Sequence, residues 1–177
     1  MGISKIWVFG EATEAGATAS TLELLTKART LADSVEVVMA GDGSTVALQL
    51  GAHGATAVHT VGDADGALPG AHVASAIAGA LEAGNGPDVL LAATSYDGRD
   101  VAGRLSAKVD RPVLTNVVDL IADGDRLLGS EPVFGGTTDV LTGFTDTGLA
   151  IFLVRPKSFD AEESGGAPAA VSDLAVG

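Results

Sequence analysis

Short apolar runs alternate with segments of helical periodicity, and this alternation constrains the fold more than any other feature of the sequence. The clearest run, Val89–Ala93, is apolar at every position, which is typical of a strand buried on both faces of a parallel sheet. After it, Val101, Leu105 and Val109 recur four residues apart and predict the buried face of a helix. The other runs that predict strands in this part of the chain are residues 5–9, 35–40 and 57–61.

Between these strands, apolar residues at helical spacing predict the connecting helices. Thr18 or Ser20 is the expected N-cap of the first helix, and a turn at 41–44 precedes a short helix, Thr45–Leu50. Pro69 precedes the third helix, which ends near Gly84. The residues expected to face the core are Leu22, Leu25, Ala28, Ala32, Val73, Ile77 and Leu81. The βα alternation predicts a three-layer α/β sandwich around a parallel sheet, a Rossmann-like arrangement.

After residue 111 the helical segments stop. Pro112–Leu114 predicts one more central strand, and 117–121 either continues it or begins another. Residues 126–131, 138–144 and 149–154, separated by Gly-rich or Asp-Gly turns, predict antiparallel strands added to the sheet. We therefore expect one α/β domain over 1–159. Residues 160–177 are acidic and rich in Gly, Ala and Ser, and we interpret them as a disordered linker.

The charge balance excludes several classes of partner. Lys and Arg total 10 against 23 Asp and Glu, so the formal net charge is -13; this charge disfavours binding to nucleic acid or to an anionic membrane surface. The absence of cysteine excludes disulfides and thiolate chemistry. No run approaches the roughly 18 apolar residues of a membrane span, and the N-terminus carries no signal-like segment. These features predict a cytoplasmic protein.

The loop and helix start after Val89–Ala93 form the first candidate site, because open α/β sheets bind ligands at the carboxyl ends of their strands. Thr94, Ser95, Gly98 and Arg99 are the candidate residues for an anion or nucleotide, held by free amide groups and a guanidinium. The alternative is structural: Ser95 or Asp97 caps the helix, and Arg99 pairs with a carboxylate.

Other features favour no chemistry of their own. Gly41-Asp42-Gly43 is interpreted as a turn, since it lacks a full phosphate-binding fingerprint. His53, His59 and His72 lack metal-ligand spacing, and we expect surface or core histidines and no metal site. No nucleophile or carboxylate pair stands out, so we name no catalytic residue and do not expect an enzyme. The segment Pro132-Val133-Phe134-Gly135-Gly136 predicts either a hairpin turn or a surface that docks another subunit.

Three ordered motifs carry a resemblance to a known family. Residues 93–120 read ATSYDGRDVAGRLSAKVDRPVLTNVVDL, residues 131–136 read EPVFGG, and residues 154–159 read VRPKSF. Together they resemble the N-terminal domain of electron transfer flavoprotein alpha subunits, over residues 1 to 159. The resemblance implies a fold similar to that of the adenine nucleotide alpha hydrolases. Glu131 stands where the family has arginine, and Thr137-Thr138-Asp139 departs from its usual continuation.

The resemblance implies an electron carrier component that is not itself catalytic. It implies a heterodimer with a beta subunit that accepts electrons from flavin dehydrogenases and passes them through FAD to a membrane quinone reductase. FAD would sit in a C-terminal domain of the alpha subunit, so we expect none in this chain, and AMP would belong to the beta subunit. We interpret the chain as an isolated N-terminal domain, an engineered truncation whose exposed surface near Phe134 supports a weak homodimer.

A second hypothesis comes from a different class of protein. The parallel α/β architecture is also used by free-standing modules of the stress-protein type, which bind AMP or ATP. Such modules carry a longer glycine-rich phosphate loop before their last helix, whereas this chain has predicted strands after residue 130. Purification as a monomer that retains ATP would favour this alternative.

Overall fold

The structure is a computed structural model that describes residues 3–63 and 66–176. In chain order the strands are β1 (Ile3–Phe9), β2 (Ala12–Thr13), β3 (Gly16–Ala17), β4 (Ala32–Met39), β5 (Ala57–Thr60), β6 (Val89–Ala93), β7 (Val113–Val117), β8 (Asp119–Asp123), β9 (Arg126–Val133), β10 (Thr138–Gly143), β11 (Ala150–Val154) and β12 (Ala170–Asp173). The α-helices are α1 (Ala19–Ala28), α2 (Ala47–Ala52), α3 (Gly70–Glu82) and α4 (Tyr96–Val109), with 3₁₀ turns at Gly43–Thr45 and Phe134–Gly136.

Seven strands form the central sheet in the order β12-β5-β4-β1-β6-β11-β7, and every neighbouring pair is parallel. A second, antiparallel sheet has the order β10-β9-β8, and β2 and β3 form a small hairpin. The predicted fold class, a parallel-sheet sandwich with antiparallel strands towards the C-terminus, is confirmed. None of the helices in the described part of the chain is long and apolar enough to cross a membrane.

The core consists of two apolar clusters, one on each face of the central sheet. Because neighbouring strand residues point to opposite faces, Leu90 and Leu91 of β6 belong to different clusters. Helices α1 and α2 cover the face of Leu91, whereas α3 and α4 cover the face of Leu90. This arrangement explains why β6 is buried at every position and reads as a continuous apolar run.

The direction predicted for residues 149–154 is wrong. β11 is not an antiparallel addition: it lies between β6 and β7 and runs parallel to both. Parallel neighbours need a long crossover, usually a helix, but here the three antiparallel strands β8 to β10 make the connection from β7 to β11. In the sequence, the short turns between these strands look the same as those of consecutive hairpins. The almost uniform burial of β11 is typical of a central strand.

The prediction of disorder over 160–177 is wrong for the residues that form β12. Before β12, the Ser164 amide donates to the Ala52 carbonyl at 2.7 Å and the Ala169 amide donates to that of Ala47 at 3.0 Å. β12 then pairs in parallel with β5 at the edge of the sheet. We call residues 160–173 the strap. It is ordered by backbone hydrogen bonds, which leave no apolar pattern in the sequence.

Smaller differences concern the ends of elements. Ala32, predicted to lie in the first helix, is the first residue of β4, and the N-cap of α1 is Thr18. The predicted helix Thr45–Leu50 is a 3₁₀ turn followed by α2. Residues 117–121 begin a new strand, since β7 ends at Val117 and β8 starts two residues later.

Candidate functional site at the carboxyl end of the parallel sheet

The loop after β6 begins helix α4 with a side-chain cap. Ser95 is the N-cap, and its Oγ accepts a hydrogen bond from the Gly98 amide at 2.9 Å. A Cβ at position 98 would overlap the Ala93 carbonyl oxygen, so glycine allows α4 to start this close to β6. Tyr96, the first helical residue, is 88% exposed. Of the two structural interpretations of the cap, Ser95 is confirmed and Asp97 is not.

A carboxylate faces this cap from the end of β1. Ser95 Oγ also donates to Glu11 Oε2 at 2.9 Å, while the Glu11 amide donates to Thr21 Oγ1 at 2.9 Å. Burial raises the pKa of the Glu11 carboxyl; the Ser95 hydrogen bond opposes this rise, and the charge of Asp97 adds to it. The point between β1 and β6 is where the strand order reverses, the usual ligand crevice of such sheets. Here an acidic side chain lies beside it.

One strand further on, the carboxyl ends of β6, β11 and β7 surround an open cleft of about 530 Å³. We call this space the arginine cleft. Its lining residues are Thr94, Arg99, Thr115, Asn116, Leu153 and Arg155. No carboxylate is among them. Asn116 has a left-handed backbone with a φ of 63°, which is uncommon for a residue with a side chain.

The structure divides the four sequence-predicted site residues into two groups. Thr94 and Arg99 line the arginine cleft, whereas Ser95 and Gly98 bond to each other in the helix cap. The expected ion pair of Arg99 is absent from the described part of the chain. Sequence reasoning missed Glu11, Thr115, Asn116 and Arg155. Arg155 was part of a recognised motif, but the wrong direction of β11 placed it at the other end of the sheet.

The third residue of Gly98-Arg99-Asp100 joins two helices. Asp100 Oδ1 accepts from Arg104 Nε at 2.8 Å, one turn further along α4. Its other oxygen, Oδ2, points at Gly70, the first residue of α3, where a Cβ would overlap it. Pro69 offers no side-chain cap to α3, so the Asp100 carboxylate supplies negative charge beside that helix start. This residue has a structural role.

A second candidate surface lies on the antiparallel sheet. Phe134, Gly135 and Gly136 have φ values of 51°, 71° and 85°, and the Phe134 side chain is 84% exposed. A positive φ is strained for a bulky residue. The neighbouring strand β10 is the edge of its sheet, and it exposes Leu141 (54%) and Val140. An exposed edge strand with apolar side chains is a surface suited to protein contact.

The histidines are structural or exposed, as expected. His53 is buried, with Nδ1 2.8 Å from the Gln49 carbonyl oxygen, and His72 is exposed. His59 Nε2 and Trp7 Nε1 both bond to Glu36 Oε2, at 2.8 and 2.7 Å. Within residues 3–63 and 66–176 no group of three or more His, Asp or Glu side chains could hold a metal ion. The turn at Gly41-Asp42-Gly43 is confirmed, with the Asp42 side chain accepting from the Ser44 amide.

A cavity of about 360 Å³ lies at the opposite, amino end of the central sheet, next to the loop after β10. Two of its acidic side chains are already engaged. Asp88 accepts from the Ser4 and Lys5 amides, and Asp146 forms a two-bond ion pair with Arg111. These contacts tie loops together, so the carboxyl end remains the better candidate for a ligand.

The fold and these surfaces define a class: an open, parallel α/β domain with a Rossmann-like core and an added antiparallel sheet. Within that class, the family model for the electron transfer flavoprotein domain matches residues 6–177. The chain belongs to the electron transfer flavoprotein domain family, as the three motifs predicted.

Curated relatives agree with this assignment. The electron transfer flavoprotein subunit alpha of Mycobacterium tuberculosis (strain ATCC 25618 / H37Rv) is 30% identical over 176 residues, which cover 96% of this chain and 53% of the relative. The subunit alpha of Mycobacterium leprae (strain TN) is 32% identical over 171 residues, covering 93% of this chain and 51% of the relative. The chain therefore spans about half the length of the curated relatives that it matches.

Proposed function

We propose that this chain acts as the N-terminal scaffold and subunit-interface domain of an electron transfer flavoprotein alpha subunit. The match of the family model over residues 6–177 supports the family, and the relatives support the alpha subunit. In this proposal the domain holds other parts of the carrier in place and is not catalytic. The absence of a nucleophile or acid–base pair in the sequence motivates that last point.

The observation that carries the interface role is the surface around Phe134. A strained backbone holds an aromatic side chain in solvent, directly beside the apolar edge strand β10. Such strain persists only where the surrounding structure or a function maintains it, and an exposed aromatic is a common anchor of protein interfaces. We propose that the beta subunit of the same flavoprotein covers this surface.

The parent heterodimer, in this proposal, accepts electrons from flavin dehydrogenases and delivers them through FAD to a quinone reductase. We place the carrier in the cytoplasm, the FAD in a further part of the alpha subunit, and AMP in the beta subunit. Without its partner, the chain would cover the Phe134 surface by weak association with a second copy.

Coexpression with the beta subunit from the same genome tests the proposal. We expect a stable one-to-one complex by size-exclusion chromatography and sedimentation velocity. The chain by itself should be colourless and show concentration-dependent weak dimerisation. Stoichiometric flavin bound to the chain alone, turnover of a substrate without partners, or failure to associate with the beta subunit would contradict it.

A further inference from the structure

We propose that the arginine cleft binds the phosphate group of a small ligand, with Arg99 and Arg155 as its two cationic contacts. This site is separate from the Phe134 surface and does not depend on the subunit-interface role.

The first evidence for this site is which arginine side chains have a hydrogen-bond acceptor or an ion-pair partner. Four of the six arginines have acceptors: Arg29 donates to the carbonyl groups of His53 and Glu162, and the others pair with aspartates. Those three are Arg104, Arg111 and Arg126. Among residues 3–63 and 66–176, only Arg99 and Arg155 have no acceptor for their guanidinium groups, and both line the same cleft.

In so acidic a protein, two neighbouring arginines without a carboxylate partner are unusual. The chain has 23 Asp and Glu residues for 10 Lys and Arg, so we expect a guanidinium group on this surface to have a carboxylate nearby. The cleft gathers two guanidinium groups and no carboxylate. Guanidinium groups bind phosphate oxygens through paired, charge-assisted hydrogen bonds, and two of them match the double charge of a phosphate monoester.

The backbone around the cleft is fixed in advance. The Thr94 amide donates to the Val154 carbonyl at 2.9 Å, and the Arg155 amide donates to the Val117 carbonyl at 2.8 Å. Arg99 lies in the first turn of α4, which Ser95 caps. Both arginines therefore extend from segments that are anchored to the sheet, and little backbone ordering is required when a ligand binds.

Polar side chains complete the lining. Thr94 and Thr115 also line the cleft, and a threonine hydroxyl group is a donor that phosphate oxygens accept. Asn116 is held in its left-handed conformation with Nδ2 at 3.4 Å from the Pro132 carbonyl. A volume of about 530 Å³ is in the range that holds small organic ligands.

Glu11 explains why the ligand would sit over β11 instead of at the strand-order reversal. Its carboxylate accepts the Ser95 hydroxyl at 2.9 Å, in the space where a phosphate would meet the start of α4. Repulsion between the two anions disfavours a phosphate there. The carboxylate of Glu11 thus disfavours a phosphate between β1 and β6, and the two arginines favour it in the arginine cleft over β11.

The test is a titration of the full chain at low ionic strength, followed by ¹H–¹⁵N correlation spectra. One arm uses inorganic phosphate, a second uses a nucleoside monophosphate, and sodium chloride at matched ionic strength is the control. We expect saturable shifts of the Thr94, Thr115 and Arg155 amides with phosphate and none with chloride. Tighter binding of the nucleotide would indicate that the cleft also holds an organic moiety; equal affinities would limit the site to the phosphate.

Arg99→Gln and Arg155→Gln should each weaken binding by about tenfold or more without lowering the melting temperature, because both side chains are exposed. Arg126→Gln is the matched control: it removes the same charge from a residue paired with Asp123 and outside the cleft. The proposal is overturned if neither probe gives a saturable response. It is equally overturned if Arg126→Gln weakens binding as much as the cleft variants.

Discussion

The two sheets of this domain differ in how they are covered, although they adjoin one another. β6 in the central sheet is buried at all five positions, with helices on both faces. In the antiparallel sheet, the first four residues of β10 are all exposed, and Phe134 stands beside them in solvent. The difference motivates the proposed division of roles, in which the central sheet supplies stability and the antiparallel sheet supplies a surface for a partner.

The antiparallel sheet is attached to the core only along part of its width. Leu120 of β8 and Leu127 of β9 belong to the apolar cluster under α1. Phe144, which follows β10, packs edge-on against Phe152 of β11 with ring centroids 5.4 Å apart. Beyond these contacts, the first four residues of β10 are exposed. Its position is fixed by the core, yet its outer residues remain available to a partner.

The largest expected effect on stability comes from the central sheet. Leu91→Ala removes a fully buried side chain from β6 and leaves a cavity, so the free energy of unfolding should fall by about 2–5 kcal/mol. Chemical denaturation measures this change. Leu48→Ala on α2 is the control, since Leu48 is largely exposed and should change the value by less than about 0.5 kcal/mol. Similar losses in both variants would contradict the division of roles.

The antiparallel sheet should show the reverse behaviour. Leu141→Asp places a charge on the exposed edge strand; affinity for the beta subunit should fall by at least about tenfold, because a buried unpaired charge is costly. The melting temperature of the isolated chain should be unchanged. Titration calorimetry and thermal unfolding provide the two values.

The same substitution on another exposed leucine supplies the control. Leu48→Asp, on the helical side of the central sheet, should leave partner affinity intact. If Leu48→Asp weakens binding as strongly as Leu141→Asp, the interface does not lie on the antiparallel sheet.

A smaller change in the free energy of unfolding tests whether the strap is part of the stable region, because its sign depends on whether the strap is ordered. A Cβ at Gly51 of α2 would overlap the Ala167 carbonyl oxygen, so Gly51→Ala should lower the free energy of unfolding by about 1–3 kcal/mol. If the strap were disordered, the substitution would instead stabilise the helix by up to about 1 kcal/mol. Gly79→Ala in α3, where no atom lies within 4 Å, should show that stabilisation.

The smallest expected effects are opposite pH dependences at two glutamates. Burial raises the pKa of Glu11, so its contribution to stability is present below the ordinary value of 4.5 and is lost as pH rises through the folded-state pKa. Burial also acts to raise the pKa of Glu36, but hydrogen bonds from His59 and Trp7, together with the charge of Lys5, outweigh it, and the pKa is lowered. Its contribution is present above the ordinary value and is lost as pH falls through the folded-state pKa.

Glu11→Gln should therefore raise the melting temperature near neutral pH, with the gain vanishing in acid, whereas Glu36→Gln should lower it. Thermal unfolding between about pH 3 and pH 8 checks both signs. Trp7 is the single tryptophan and donates to Glu36, so its emission reports on the second variant directly. Parallel pH profiles in the two variants would contradict the assignment of opposite shifts.

The sequence predicted those parts of the fold that leave a periodic pattern. Apolar runs and helical spacing identified the central-sheet strands and the helices up to residue 109, because burial on one or both faces determines which residues are apolar; the small hairpin of β2 and β3 was not predicted. The direction of β11 was misjudged from the short turns of the antiparallel strands before it. Its continuous apolar run, like that of β6, is typical of a central parallel strand. That one error separated Arg155 from Thr94 and Arg99, which lie in the same cleft.

Two other features depend on the backbone and were not predictable from side-chain patterns. The strap is ordered by amide–carbonyl bonds and by the close approach of Gly51 to Ala167. The Ser95 hydroxyl donates to the carboxylate of Glu11, which is 84 residues away in the sequence. This contact can be predicted only when the strand order is known. The docking role of Phe134, suggested by its paired glycines, remains a prediction.

Hydrogen–deuterium exchange of the chain with and without the beta subunit tests the division of roles most directly. We predict slower exchange on binding over residues 134–143, with little change in the amides of β6 and β1, which are already protected in the free chain. Unchanged exchange over 134–143 in a saturated complex, with new protection confined to the helical faces, would contradict it.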